Sequence, residues 1–320
     1  MIRTAFALVA ITCCALAQTK TLHFSHINSE QAMMETATVV RAVSEVKPWA
    51  DASARTLRIE GSPTQIAAAE WIFNELDRPG GSPPPDSARV YKIEDPKQEG
   101  HVRVFHTAFT PNVQSLQEVA TAIRATTEIR RLFTYSDPRI IIVRGTDAQV
   151  AMADWLVSQL DTPTKPGFSV QRDPGLRIFY PTTIRTVQQL QEMATATRAI
   201  AGIHRLFTYN LKAAIIVRDT PEQLHLAEWL LHQLDQSAPP AKYTASPDYI
   251  MPVEAPEGSV VKVFFAPNAA TVQDLQTLAV NVRTTTQVRR IFTYNTPRAL
   301  AVRGTANQIA RATDIIKPAQ

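Results

Sequence analysis

The chain is expected to fold as an α+β protein built from four tandem βαββα modules, each with two helices on a three-stranded sheet, joined by Pro-rich linkers. Three observations predict this. The stretch VRVFHTAFTPNVQSLQEVATAIRATTEIRRLFTYSDPRIIIVRGTDAQVAMADWLVSQLD at 102–161 recurs, edited, at 176–235 and 261–316, and more faintly from about Thr21 to Asp77. Self-similarity at a fixed spacing reduces the chain to one small unit used four times. Within each copy, apolar spacing alternates between strand-like and helical. Four helix-start signatures also fall in register, at Ser62, Thr146, Thr220 and Thr305.

Copy two shows the elements in order. Val102, Val104 and Phe105 read as a short strand. Pro111-Asn112 then leads into a helix with Val113, Leu116, Val119, Ala120 and Ile123 on one side. Ile129 to Tyr135 and Ile140 to Arg144, rich in β-branched and aromatic residues, flank the turn signal Ser136-Asp137-Pro138 and read as a hairpin. Thr146-Asp147-Ala148-Gln149 is a capping box, in which each side chain satisfies the other residue's amide. Ser62-Pro63-Thr64-Gln65, Thr220-Pro221-Glu222-Gln223 and Thr305-Ala306-Asn307-Gln308 repeat it, twice with Pro at the first helical position. Val150, Ala153, Val157 and Leu160 then form a narrow apolar stripe.

The copies are unequal. RRLFTY at 130–135 becomes HRLFTY at 204–209 and RRIFTY at 289–294, whereas copy one has Pro48-Trp49-Ala50-Asp51 in that region. The expected divisions are a leader at 1–17, a divergent copy one at 20–79, copy two at 101–162, copy three at 175–236 and a truncated copy four at 259–318. Pro-rich linkers fill 80–100, 163–174 and 237–258, and such spacers favour extended, semi-rigid chain.

The ends and composition narrow the function. Arg3, the apolar run Ala5 to Ala15 and Ala15-Leu16-Ala17 form a secretory leader pattern, with cleavage expected after Ala17. The protein is therefore expected in the periplasm or outside the cell. Both cysteines, Cys13 and Cys14, lie inside that leader, so the mature chain is expected to have no disulfide and no thiol chemistry. A net charge of +4 demands no polyanionic partner. Beyond the leader no apolar stretch approaches the roughly 20 residues of a membrane-spanning helix.

PRIIIVRGTDAQVAMADWLVSQLD at 138–161, with its counterparts at 212–235, 56–77 and 297–316, resembles the short periplasmic N-terminal modules of bacterial secretins. In that family a strand ending in a Val-Arg-Gly-Thr-like turn leads into a helix closing on Leu-Asp. The resemblance implies a KH-like fold and a role in forming rings and docking protein partners in the envelope. A secretin continues into a glycine-rich channel domain. This chain has 10 Gly in total and ends after copy four, so no channel is expected. Copy three has Asp219 for the turn glycine, expected to enter the left-handed region at some cost.

Candidate interaction residues recur in sets. Arg131, Phe133 and Tyr135 share one face of their strand, as do Arg205, Phe207 and Tyr209, and Arg290, Phe292 and Tyr294. Rings beside guanidinium groups can stack a partner, and the alternative is core packing beneath the helices. Trp71, Trp155 and Trp229 take one position on the second helix, where copy four has Asp314. Stacking between copies explains that pattern, since end repeats need a polar outer face, and core filling is the competing reading. Arg41, Arg124, Arg198 and Arg283 recur near the end of the first helix, suited to capping its carbonyls. His225, Glu228 and His232 have a metal-like spacing but read as a solvated helix edge.

No phosphate loop, HExxH or GxSxG occurs, and no nucleophile–base pair can be assembled, so neither catalysis, a metal nor a cofactor is expected. The leading reading is an exported, non-enzymatic interaction or scaffold protein, an accessory of envelope assembly, secretion or pili, whose partners are envelope proteins and further copies of itself. The alternatives are a KH-like nucleic-acid binder, disfavoured because the GxxG clamp is missing, and a cell-wall or polysaccharide binder.

Overall fold

A computed structural model describes residues 17–79, 90–93, 100–136, 139–252 and 258–317. The leader, apart from Ala17, and most of the 80–100 linker lie outside these residues. Copy one comprises β1 (Gln18–His23), α1 (Glu30–Ser44), β2 (Lys47–Asp51), β3 (Thr56–Gly61) and α2 (Pro63–Leu76). Copy two comprises β4 (Val90–Lys92), β5 (His101–His106), α3 (Val113–Thr127), β6 (Arg131–Tyr135), β7 (Ile140–Gly145) and α4 (Asp147–Leu160). Copy three runs β8 (Ser169–Asp173), β9 (Leu176–Phe179), α5 (Val187–Ala201), β10 (Arg205–Tyr209), β11 (Ala214–Arg218) and α6 (Pro221–Leu234). Copy four runs β12 (Thr244–Ala245), β13 (Tyr249–Ile250), β14 (Val260–Phe265), α7 (Val272–Thr286), β15 (Arg290–Tyr294), β16 (Ala299–Gly304) and α8 (Ala306–Ile316).

The fold is α+β, with eight helices and four small antiparallel sheets among the described residues. Only the first sheet has three strands, in the order β1-β3-β2. The others run β4-β5-β7-β6, β8-β9-β11-β10 and β12-β14-β16-β15, the last with β13 also on β14. The expectation of three strands everywhere fails because segments read as linkers return to the sheet edge. Pro cannot donate to a ladder, but the residues between the prolines can. Thus Tyr91 pairs with Val102, and Tyr249 with Val261.

The chain divides into two compact units, Met1–Thr107 with Ile129–Ala151, and Ala108–Glu128 with Met152–Gln320. In the first, the helices of copy one pack on β1–β3, and one cluster joins Val40, Ile59 and Ile72 to Val102, Tyr135 and Ile142 of the copy-two sheet. In the second, one face of the copy-three sheet, with Phe179, Leu206 and Val217, packs under α5 and α6. The same cluster takes in Val261, Val263 and Tyr294 of the copy-four sheet.

All four predicted capping boxes form; Thr146, for example, accepts from Gln149 N at 3.3 Å while its own N–H donates to Gln149 Oε1 at 2.9 Å. Asn112, Thr186 and Thr271 make three more at the first helices. The turn glycines Gly61, Gly145 and Gly304 do not enter the left-handed region, and neither does Asp219, contrary to expectation. Their constraint is space: a Cβ on Gly145 would stand 2.8 Å from Oε1 of Gln149, the capping residue. In copy three the Asp219 side chain instead accepts from the N–H groups of His204 and Thr220.

Candidate interaction surface

The sheet face carrying the aromatic pairs is not the one under its own helices in copy three or copy four. Side chains alternate across a strand. Leu206 and Ile291 face their own helices, and the intervening Phe and Tyr positions face the other way. Tyr135 lies in the copy-one core cluster and Tyr294 in the copy-three cluster, both buried, with Phe133 and Phe292 half-buried beside them. In each case the covering element is the first helix of the preceding copy, α1 against β6, α3 against β10 and α5 against β15. Burial pushes the Tyr209 and Tyr294 hydroxyls above the usual phenol pKa; Asp161 and Glu118 add to it at Tyr209, against a Thr110 bond that lowers it, and Glu192 adds to it at Tyr294.

Three polar latches recur at these joints. The strand arginines reach the left-handed C-cap of the preceding helix, Arg131 to Glu45 and Arg205 to Glu128. In copy three that C-cap is Gly202, and Arg290 donates to the Ala199 carbonyl at 2.9 Å instead. The arginines that follow Val at the end of the central strand cap one carbonyl at the same position of the first helix: Arg144 on Val43 at 2.7 Å, Arg218 on Thr126, and Arg303 on Ile200 at 3.3 Å. A mid-helix glutamate accepts from the residue after Tyr. Asn210 donates to Glu118 through N at 2.8 Å and Nδ2 at 2.6 Å, Asn295 Nδ2 donates to Glu192 at 3.0 Å, and Ser136 N donates to Glu35. Burial raises the Glu35 pKa more than the Ser136 bond lowers it.

Trp71 lies 5.4 Å from Tyr91 of the next copy's first strand, and Trp229 lies 5.2 Å from Tyr249 in the same way. Trp155 is half-buried without a ring partner among the described residues, because Asp173 pairs there where the other copies have Tyr. Two of the helix-end arginines reach a strand: Arg198 donates to the Leu206 carbonyl at 2.5 Å and Arg283 to that of Ile291 at 3.2 Å, each on the outer strand of a sheet. Glu228 is bound by Arg177 and Ser169 and His232 stacks on Phe168 at 3.8 Å, so two of that edge's three residues are held in structural contacts, while His225 is exposed.

Between α3 and α5, alongside β10, lies a groove of about 400 Å³ lined by Gln114, Gln117, Thr121, Gln191, Thr195 and Phe207. Sequence reading found the Arg-Phe-Tyr sets but missed Glu35, Glu118 and Glu192. The available signal was their recurrence in three copies and replacement by Thr277 in the fourth.

No protein-family model matches the chain, and no curated protein matches it in sequence. Among solved structures it is similar to the N-terminal domain of the secretin XcpQ from Pseudomonas aeruginosa, 16% identical over 46% of this chain and 63% of that one, with a TM-score of 0.20. It is also similar to ExeD of Aeromonas hydrophila, 11% identical over 93% of this chain and 55% of that one, TM-score 0.18. Dim2p from Pyrococcus horikoshii OT3 is 12% identical over 47% of this chain and 94% of that one, TM-score 0.27. The chain spans less than two thirds of the XcpQ structures it matches. No helix among the described residues is long and apolar enough to cross a membrane.

Proposed function

We propose that this chain is an exported, non-enzymatic scaffold whose four copies act as one tandem interaction array in the bacterial envelope, serving secretion or pilus assembly. The observation that carries the reading is the joint used three times: a sheet face of one copy held against the first helix of the copy before by the same latches. Recurrent residues invested in holding copies together fit a scaffold better than a reaction centre. The envelope location rests on the leader pattern and on the Val-Arg-Gly-Thr to Leu-Asp motif.

The partners are other proteins rather than a head-to-tail series of this chain, because both end faces are polar. The outer face of the copy-one sheet carries Lys47, Asp51, Arg58 and Glu60 around a single exposed aromatic, Trp49, over which the Arg58 guanidinium lies. In copy four Arg311 donates to the Thr285 carbonyl at 2.6 Å, the position that the next copy's arginine caps elsewhere. End repeats with a polar outer face stop an array.

Co-purification of the full chain from its native envelope tests the function. Recovery of a secretion or pilus component is expected. Retention of RNA or cell-wall polymer at physiological salt, with no protein partner, would replace this reading.

A further inference from the structure

The hairpin of copies one, three and four turns through a residue in the left-handed region, Arg55 at φ 51°, Ala213 at 46° and Arg298 at 50°. In copies one and four its guanidinium reaches back to the loop before the first helix. Arg55 donates to the Ser25 and Ile27 carbonyls at 3.4 and 3.3 Å, and Arg298 to the Pro267 carbonyl at 3.3 Å. Copy three has only a methyl group there. Its corresponding carbonyl, that of Thr182, is taken from another side by Arg185 at 3.3 Å.

A cavity of about 250 Å³ opens at this place, lined by Ala213 and by Ile184, the counterpart of Ile27. Buried Leu190 extends the apolar lining, and Lys165, Arg185 and Lys212 supply three cationic groups. Lys212 is 6% exposed and donates to Thr162 Oγ1 and the Thr164 carbonyl. Lys165 has neither a hydrogen bond nor an ion pair among the described residues. Lys165 is exposed as a residue, but partial desolvation of its ammonium, then the like charge of Arg185, holds it below its usual pKa, although Asp235 opposes this; Lys212 is lowered by burial and Lys165 against Asp161. Both carboxylates are committed elsewhere, Asp235 to Thr182 and Thr183, and Asp161 to Ala108, Phe109 and Thr110.

We propose that this cavity binds a carboxylate borne on a short aliphatic group, supplied by an acidic side chain or a chain end of a protein partner. The cations match the carboxylate and Ile184, Leu190 and Ala213 match the stem, whereas inorganic phosphate would leave the apolar lining unused. Only the protein origin of the carboxylate rests on the scaffold reading.

The test is methyl NMR of the full chain titrated with 4-methylpentanoate, 4-methylpentanamide and inorganic phosphate. Saturable shifts at the Ile184 and Leu190 methyls are expected with the acid, with the amide about tenfold weaker and phosphate weaker than the acid. Ala213→Arg, which restores the residue of copies one and four at a φ they already adopt, should abolish the shifts. Exposed Lys165→Gln should weaken them several-fold and serves if Ala213→Arg fails to fold. A pentapeptide ending in Leu with a free carboxylate, set against an amidated one ending in Glu, separates chain end from side chain. No saturable shift, equal binding of the amide, tighter binding of phosphate, or native binding by a folded Ala213→Arg variant would each overturn the proposal. Because the probes are small molecules, such a failure leaves the envelope co-purification standing, and a failed co-purification leaves the cavity intact.

Discussion

Strands β3 and β7 hold the same place in their sheets yet meet different surroundings. In β3, Leu57 and Ile59 are buried while Arg58 is exposed; in β7 all six residues, Ile140 to Gly145, are buried. Position by position Arg58 corresponds to Ile142, since each lies two residues before the residue preceding the turn glycine. One face of β3 stays open, whereas the matching face of β7 joins the copy-one core cluster. Alternating polarity therefore marks a sheet covered once, and continuous apolar character a sheet covered twice. Arg58 and Trp49 on the open face meet each other, the guanidinium 5.8 Å from the indole.

The severest way to break this comparison is Ile142→Arg, which places the copy-one residue in a covered strand. An unpaired charge buried there should cost roughly 3–5 kcal/mol, read as a fall in the urea midpoint. Next is Asp235→Ala, which strips the acceptor from two N–H and two hydroxyl groups of Thr182 and Thr183. Losing such partners should cost about 1–3 kcal/mol. Burial would raise the Asp235 pKa, but these bonds outweigh it and hold the carboxyl below the usual range. Its contribution is therefore complete above an unfolded value of about 3.9 and is lost as pH falls through the lower folded value; a pH series of melts should show the wild type losing this advantage over Asp235→Ala only in acid.

The arginine caps sharpen the contrast between an internal joint and an end. Arg218→Met should cost about 1–2 kcal/mol, because the Thr126 carbonyl loses a charged donor. Arg311→Met, at an exposed end, should cost below about 1 kcal/mol and show only as faster amide exchange in the last turn of α7. Smallest of all is Arg58→Ile, expected within about 0.5 kcal/mol of wild type by melting. Its effect should instead be self-association on light scattering, since it adds an apolar side chain beside half-exposed Trp49.

The elements themselves were legible because their causes are local: capping boxes at Ser62 and Thr220, the hairpin around 136–139, and apolar stripes on the second helices. The extra edge strands were not, because Val90–Lys92 and Tyr249–Ile250 are too short to carry a period and form only where an edge receives them. The joints were half legible. The Arg-Phe-Tyr sets stood out by recurrence, but which sheet face they occupied depended on a neighbour that pattern alone does not place. The difference between TLRIEG and IIIVRG recorded that neighbour in plain letters. Asp77, Asp161 and Asp235 looked like helix ends, yet each binds the loop before the first helix about fifty residues earlier.

The guanidinium groups of Arg198 and Arg283, seated on the carbonyls of Leu206 and Ile291, have a consequence for misassembly. Strands β10 and β15 are sheet borders, and an unpaired border carbonyl is a template on which another chain can crystallise into continuous cross-strand order. A bulky, permanently charged side chain on that acceptor blocks the template at the second residue of the strand. The helix-end arginine is thus a guard against fibre growth, and its removal should be felt first in shelf life rather than in melting temperature.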